Sequence, residues 1–304
     1  MYKINFNHLY YFLSISEEGS IVKASEKLHI TQPALSHQLR ILEDDLGKKL
    51  FDRVGRRLII NKNGEFVKEY ASKIFRHSEE MIDFLKSDSN DYIKIIKVGT
   101  VPWLSKSQIY DFLKPLIINR NIKVQVFQKG LESLLKDAQN ERLDIILCDS
   151  PYSGRLKELK GHKLSTDTLI CVTSSETKIK GNFPECIQGK KIINYSEACA
   201  LADKIDDYLK VNKLSVKVVG EFTDSALMRI AIEEGELIGF LPLSVAKEGL
   251  LSKTLIKIGE PKELSCSLWA ITNKSYKQDS QLQSLFKKYE NNYEKKRREK
   301  FITE

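Results

Sequence analysis

The stretch SIVKASEKLHITQPALSHQLRILEDDLG, Ser20 to Gly47, reads as two short helices with almost no connector between them. Ser20 is a natural N-cap, and Ile21, Ala24 and Leu28 recur at helical spacing behind it. His29-Ile30-Thr31 is the turn. Thr31 caps the second helix, and Pro33 is tolerated in that helix's open first turn. At about 100° per residue, Leu35, Leu39, Leu42 and Leu46 fall in one narrow arc. Pro33, Ser36, His37 and Arg40 lie opposite, with Gln32 at the N-terminal tip. One face is built to pack, and the other carries a row of hydrogen-bonding side chains.

Working outward, HLYYFLSISEEGS places Leu9, Phe12, Leu13 and Ile15 on an amphipathic helix ended by Gly19. On the other side, KKLFDRVGRRLIIN reads as strand, turn at Val54-Gly55, strand, with Arg53, Arg56 and Arg57 at the tip. Three helices followed by a basic hairpin form a winged helix-turn-helix. In such a unit the N-terminal part of the second motif helix enters the major groove. Gln pairs bidentately with adenine, and Ser bonds donor or acceptor edges. Cations on a hairpin tip suit phosphates or a narrow minor groove. The plainer reading, a three-helix unit with a solvated polar face, leaves the arginine tip without a purpose. The expected DNA contacts are Gln32, Pro33, Ser36, His37, Arg40, Arg53, Arg56 and Arg57.

KNGEFVKEYASKIFRHSEEMIDFLKSD follows, and Val67, Tyr70, Ile74, His77, Met81 and Phe84 recur there in a heptad rhythm. That is the seam of a helix that pairs with another chain. His77 reads as a packing residue at the seam. A dimer sets two recognition helices on one duplex with paired half-sites.

The 304 residues carry a net charge of +8, with no apolar run near the roughly 20 residues of a membrane span. The N-terminus shows no small-residue cleavage site, so a cytoplasmic protein without a leader is expected. Lys48, Lys49, Arg53, Arg56, Arg57 and Lys62 face only Asp52, whereas the terminal run Lys295–Lys300 reads as a solvated face. The five cysteines show no metal spacing. Cys148, Cys171 and Cys266 sit in strand-like runs, and Cys186 and Cys199 are the pair in loop-like surroundings.

After the polar break SDSNDY, strands and helices alternate, which argues for an α/β sheet with helices on both faces. The strands expected are 93–98, 122–127, 143–148, 168–173, 191–194, 216–222, 237–241, 255–258 and 266–272, with helices at 106–119, 130–141, 201–212 and 224–234. Ligands of open α/β sheets bind beyond the carboxyl ends of strands. The candidates there are Thr100, Val101, Trp103, Ser105, Asp149, Ser196, Glu197 and Asp224, with Ser150, Tyr195 and Thr223 beside them. Asp224 reads first as the N-cap of the helix running to Glu234, and Trp103 equally as a pocket wall or as plain packing. There is no GxGxxG, P-loop or HExxH, and His162 has no nucleophile motif beside it, so no enzyme is expected and no catalytic or metal-binding residue is assigned.

The block FLSISEEGSIVKASEKLHITQPALSHQLRILEDDLGKKLFDR resembles the LysR-type transcriptional regulators, and the resemblance runs over the whole chain. Within that family NHLYYF, EEGS, GKKLF, GRRL and GEFTDSALM look most like the NhaR branch, whose members activate sodium/proton antiporter genes in response to sodium or lithium. The resemblance implies α/β architecture with an N-terminal winged helix-turn-helix (1–61), a long linker and dimerisation helix (62–90) and a two-lobed, periplasmic-binding-protein-like effector domain (91–304). It puts lobe one at 92–162 plus 266–304 and lobe two at 163–265, with the chain crossing twice. It implies DNA contacts at the positions of Gln32, Pro33, Ser36, His37 and Arg53, although His37 stands where Arg is frequent and Ser25 where Ala is frequent. It also implies that Thr100 and Ser196 line the cleft. The expected partners are double-stranded DNA with paired half-sites, further copies of the chain in a homodimer or homotetramer, and RNA polymerase. No cofactor is expected beyond a small-molecule or monovalent-cation effector, toward which Asp149, Glu197 and Asp224 could supply oxygens. Two other readings stand beside this one: a two-lobed small-molecule-binding protein or enzyme with an incidental helical N-terminus, and a DNA-compacting architectural protein.

Overall fold

A computed structural model describes residues 4–54, 57–86, 93–152, 159–273, 282–287 and 289. It divides into two units, Met1–Tyr92 and Ile93–Glu304.

The first unit runs α1 (Phe6–Glu18), α2 (Ile21–Leu28), α3 (Gln32–Leu46), β1 (Phe51–Val54), β2 (Arg57–Ile60) and α4 (Lys62–Lys86). Its helices begin where local chemistry satisfies their open N–H groups. Asn5 Oδ1 accepts from Asn7 N at 2.9 Å, Ser20 Oγ from Lys23 N at 3.5 Å, and Thr31 Oγ1 from Ala34 N at 3.4 Å. Gly19 and Gly47 close α1 and α3 in the left-handed region, at φ 62° and 65°. His29 does the same for α2 at φ 55°, which is what makes the turn so short. Phe12, Ile15, Ala24, Leu35 and Leu42 are fully buried and form the core with Ala71 of α4. Burying one such leucine contributes about 1.5–3 kcal/mol. β1 and β2 pair antiparallel, Phe51 opposite Ile60, as the wing reading requires. Gly55 and Arg56, at its turn, lie outside the described residues, as do residues 87–90 and the basic run 295–300.

One residue of the heptad seam is placed differently. Val67 turns inward and, with Gly64, Ala71 and Phe75, packs on the unit's own core. Phe66 takes the outward position instead. Phe66, Tyr70, Ile74, Met81, Ile82 and Leu85 are 36–72% exposed, a long apolar stripe on α4.

The second unit contains β3 (Lys94–Thr100), α5 (Lys106–Ile117), β4 (Ile122–Gln128), α6 (Leu131–Gln139), β5 (Ile145–Cys148), β6 (Leu159–Ser174), β7 (Lys191–Tyr195), α7 (Ala200–Val211), β8 (Lys217–Phe222), α8 (Ser225–Glu234), β9 (Ile238–Pro242), α9 (Leu243–Leu251), β10 (Leu255–Gly259) and β11 (Ser265–Asn273). Residues 282–287 are also helical. The sheet order is β4-β3-β5-β11-β6-β9-β7-β8, with β10 beside β6. β3 lies parallel to β4 and β5, and β7 parallel to β8 and β9. These two parallel halves are joined by the antiparallel pair β6 and β11. β6 pairs with β11 along Leu159–Thr168, then with β9 along Leu169–Thr173. It is the strand that carries the chain from one half to the other.

The sequence reading caught only 168–173 of β6 and passed over α9 and the helix at 282–287. The first half of β6 is buried only in part, with Leu159, His162 and Leu164 buried and Lys160 exposed, whereas Leu169 to Ser174 in the second half are buried throughout. Only the second half carries a continuous apolar signal. His162 is a packing residue: it is buried, stacks on Phe286 with ring centroids 4.7 Å apart, and sets Nε2 3.4 Å from Thr272 Oγ1.

Candidate nucleic-acid interface and effector crevice

In the first unit, α3 turns Leu35, Leu39 and Leu42 into the core and leaves Gln32, Pro33, His37 and Arg40 exposed and Ser36 half-buried. The polar face is therefore free along its length from the N-terminal tip. Arg53 projects exposed from β1. Arg57 begins β2, and Arg56 falls outside the described residues. A helix that presents hydrogen-bonding side chains, with a basic hairpin following it, has the parts of a groove reader.

In the second unit, the predicted effector residues lie at the carboxyl ends of strands. Thr100 ends β3 and is buried, as are Val101 and Trp103 after it. Ser105 is the N-cap of α5, its Oγ accepting from Gln108 N at 3.4 Å. Asp149 and Ser150 follow β5, with Ser150 Oγ donating to Asp149 Oδ1 at 3.3 Å. Ser196 follows β7, and Glu197 beyond it is exposed. Asp149 Oδ2 stands 3.9 Å from Cys199 Sγ, which joins the end of β5 to the turn before α7.

Asp224 is already engaged. It caps α8 through Ala226 N and Leu227 N at 2.8 and 3.0 Å and pairs with Lys106 at 3.0 Å. Partial burial alone would push its carboxyl up, but the Leu227 and Ala226 N–H groups and Lys106 together hold it below the ordinary aspartate value. Asp149, Glu197 and Asp224 do not combine into one cation site, and among the described residues no three His, Cys, Asp or Glu side chains are arranged to hold a metal ion.

Sequence reasoning missed Asp167. Its Oδ2 accepts from Gln108 Nε2 of α5 at 3.2 Å and from Ser244 N of α9 at 3.1 Å. Ser107 Oγ donates to Ser244 O at 3.4 Å, and Ser225 Oγ to Leu104 O at 3.5 Å. These bonds tie the loop and helix after β3 to the helices after β8 and β9. No local pattern marks Asp167, because both partners are remote in sequence.

Four buried polar atoms lie in the same kind of place and have no hydrogen-bond partner within the protein: Trp103 Nε1 after β3, Tyr195 Oη and Ser196 Oγ at the end of β7, and Ser244 Oγ after β9. Burial, with Cys199, Cys266, Asp149 and Asp167 in electrostatic reach, pushes the Tyr195 phenol well up and keeps it neutral. Unpaired buried polar groups are rare, and each calls for an explanation. All five cysteines are free and buried. Burial pushes the thiols of Cys148 and Cys266 up to about 12. Cys186 lies in electrostatic reach of Cys171, and Cys199 of Cys266, so the loop pair singled out from the sequence is divided between two neighbourhoods.

Residues 6–65 match the model of the bacterial regulatory helix-turn-helix protein, lysR family, and residues 96–290 match the LysR substrate binding domain. The chain belongs to the LysR family. This LysR chain is 30% identical over 262 residues to the transcriptional activator protein NhaR of Escherichia coli (strain K12), covering 85% of this chain and 86% of that one. It is 26% identical over 272 residues to the nitrogen assimilation regulatory protein nac of the same organism, covering 87% and 88%. Its fold matches full-length CbnR in complex with target DNA at a TM-score of 0.62 and 14% identity, covering 94% of this chain and 99% of that one. It also matches Vibrio fischeri DarR in complex with DNA, at a TM-score of 0.57 and 18% identity, covering 94% and 98%. The LysR chain is a DNA-binding transcription regulator with a helix-turn-helix unit and a two-lobed substrate-binding domain. The readings of an enzyme or binding protein with an incidental helical N-terminus, and of a DNA-compacting protein, are set aside by the matches to both segments. Among the described residues no helix is long and apolar enough to cross a membrane.

Proposed function

We propose that this LysR regulator reads paired operator half-sites as a homodimer or homotetramer and changes its hold on them when a ligand enters the crevice of the second unit. In this reading Gln32, Pro33, Ser36, His37 and Arg40 address the major groove, and Arg53, Arg56 and Arg57 the flanking phosphates or minor groove. The apolar stripe of α4 pairs with a second copy. The observation that carries the effector half is the set of unpartnered buried donors at Trp103, Tyr195, Ser196 and Ser244, all at strand ends. Thr100, Val101, Ser105 and Asp149 complete the wall, while Glu197 and Asp224 sit at its margin.

The likeness to NhaR supports a regulator that activates a sodium/proton antiporter gene from the cytoplasm, through RNA polymerase, with a monovalent cation or a small molecule as effector. Genome-wide mapping of binding sites with and without added sodium tests this. Sites beside an antiporter gene whose occupancy responds to sodium are expected. Unchanged footprint, melting temperature and promoter output in sodium and lithium would remove the antiporter role. Gel shifts test the DNA half: Arg53→Ala and Ser36→Ala must weaken binding, and wild-type binding by both would sink the assignment of the reading face.

A further inference from the structure

The backbone of Leu50, between α3 and the wing, is held from three sides. Its N–H donates to Glu43 Oε1 of α3 at 2.9 Å, and Glu43, although a carboxylate, is only 8% exposed. Its C=O accepts from Asn61 N at 3.0 Å, where the wing ends and α4 begins. The Asn61 side chain then reaches in both directions. Its Nδ2 donates to Lys49 O at 3.0 Å and to Asp52 Oδ1 of β1 at 3.1 Å, while its Oδ1 accepts from Gly64 N at 3.0 Å. The first turn of α4 presses directly on the Leu50 carbonyl. A Cβ on Gly64 would stand 2.1 Å from Leu50 O, a backbone atom with no side-chain freedom to yield. The outer oxygen of Glu43 is met by Lys49 Nζ at 2.8 Å. A buried carboxylate is costly unless it is hydrogen-bonded, and this one uses its inner oxygen on a main-chain donor.

We infer that Glu43 and Asn61 are positioning residues that fix the wing to the recognition helix and to the linker helix at the Lys49–Leu50 peptide. The three elements then meet DNA as one rigid piece, and any reorientation of α4 moves the wing and the reading face together. Neither residue is placed on the DNA; both side chains act through the Lys49–Leu50 peptide, Glu43 on its N–H and Asn61 on its C=O. The inference rests on the proposed reading in which the wing touches DNA, so its test carries a separate control for that reading.

The test uses the full-length chain and a duplex enriched from a random-sequence pool by the wild type. Affinity is read over a series of salt concentrations, well below the melting transition, together with a hydroxyl-radical footprint. Glu43→Ala and Asn61→Ala are expected to lose affinity about tenfold, the scale of one buried hydrogen bond. They should lose the wing's protections while keeping those of α3, and their salt slope should fall toward that of Arg53→Ala, since the wing's cations leave the duplex. Glu43→Gln, which retains an acceptor for Leu50 N–H, is expected to bind within about twofold of wild type. Wild-type affinity and footprint in both alanine variants, with only a lowered melting temperature, would overturn the inference and leave a structural role. Loss of the α3 protections together with the wing's would also overturn it, by showing that the fold of the unit and not the seating of the wing was lost. If Glu43→Ala does not fold, Asn61→Ala and Glu43→Gln decide by the same readouts. Arg53→Ala is the control: unchanged affinity and slope there would overturn the wing's role on DNA and this inference with it. A weakened Arg53→Ala beside unaffected Glu43→Ala and Asn61→Ala overturns the inference alone.

Discussion

Tyr195→Phe separates a residue kept for binding from one kept for stability. Tyr195 is 1% exposed, and its hydroxyl has no hydrogen-bond partner. An unsatisfied buried hydroxyl costs about 1–3 kcal/mol, and removing it recovers that cost. The small gap left by the oxygen takes back a few tenths of a kcal/mol, roughly. The net expectation is a stabilisation of about 1–2.5 kcal/mol. For a domain of 150–250 residues each kcal/mol moves the melting temperature by about 2–4 °C, so the ligand-free variant should melt about 2–10 °C higher. Differential scanning calorimetry on the full-length wild type and variant reads this in the transition of larger enthalpy, which belongs to the larger unit. A melting temperature lowered by a similar amount would refute the reasoning. It would mean that the hydroxyl is satisfied inside the protein and that the end of β7 carries no unspent donor.

Two further outcomes follow from other parts of the molecule. Ile74→Asp combined with Met81→Asp should dissociate the oligomer. Each apolar side chain buried at an interface contributes about 1.5–3 kcal/mol, so the dissociation constant should rise by at least about 100-fold; sedimentation equilibrium that shows unchanged assembly would place the interface elsewhere. Asp224→Asn keeps a capping side chain but removes the charge. The folded Asp224 carboxyl is held below its ordinary value, so its contribution is present above the unfolded pKa and is lost as pH falls through the folded one. The wild type should therefore exceed the variant in stability by no more than about 1 kcal/mol at neutral pH, because the Lys106 pair is partly exposed, and the gap should close in the acid range. Denaturant titrations at neutral and acid pH check this, and a gap that widens on acidification would contradict it.

What the sequence revealed is what local chemistry decides. Ser20, Thr31, Gly19 and Gly47 act within one turn of where they stand, so the helices of the first unit could be read from their ends. The leucine arc of α3 follows from helical spacing alone. What stayed hidden is settled across the chain. α9 opens on Pro242, which offers no side-chain cap, so nothing local marks its start. Its first-turn N–H at Ser244 is met instead by Asp167, 77 residues away. The heptad rhythm of α4 was visible, but the phase of its first turn is fixed by Gly64 lying against Leu50 O, which rotates Val67 inward and Phe66 outward.

The same distinction explains why the crevice was only half legible. Strand ends can be placed from a pattern, and Thr100, Trp103, Asp149 and Ser196 fall there because parallel strands point their carboxyl ends alike. Whether a side chain at such an end is already employed depends on its neighbours in space. Asp224 caps α8, as the sequence allows, but its pairing with Lys106, 118 residues away, carries no local sign. Tyr195 stands beside the strand-end candidates, one residue past the strand expected at 191–194, and only its surroundings show that its hydroxyl has no partner within the protein. Satisfaction, not position, sorts the candidates. A ligand gains most where it supplies the missing partner, because an unpaired buried group already bears its desolvation cost before binding. By that criterion Tyr195, Ser196, Trp103 and Ser244 should dominate effector recognition, and Asp224 should act on the fold of α8 and the link to Lys106.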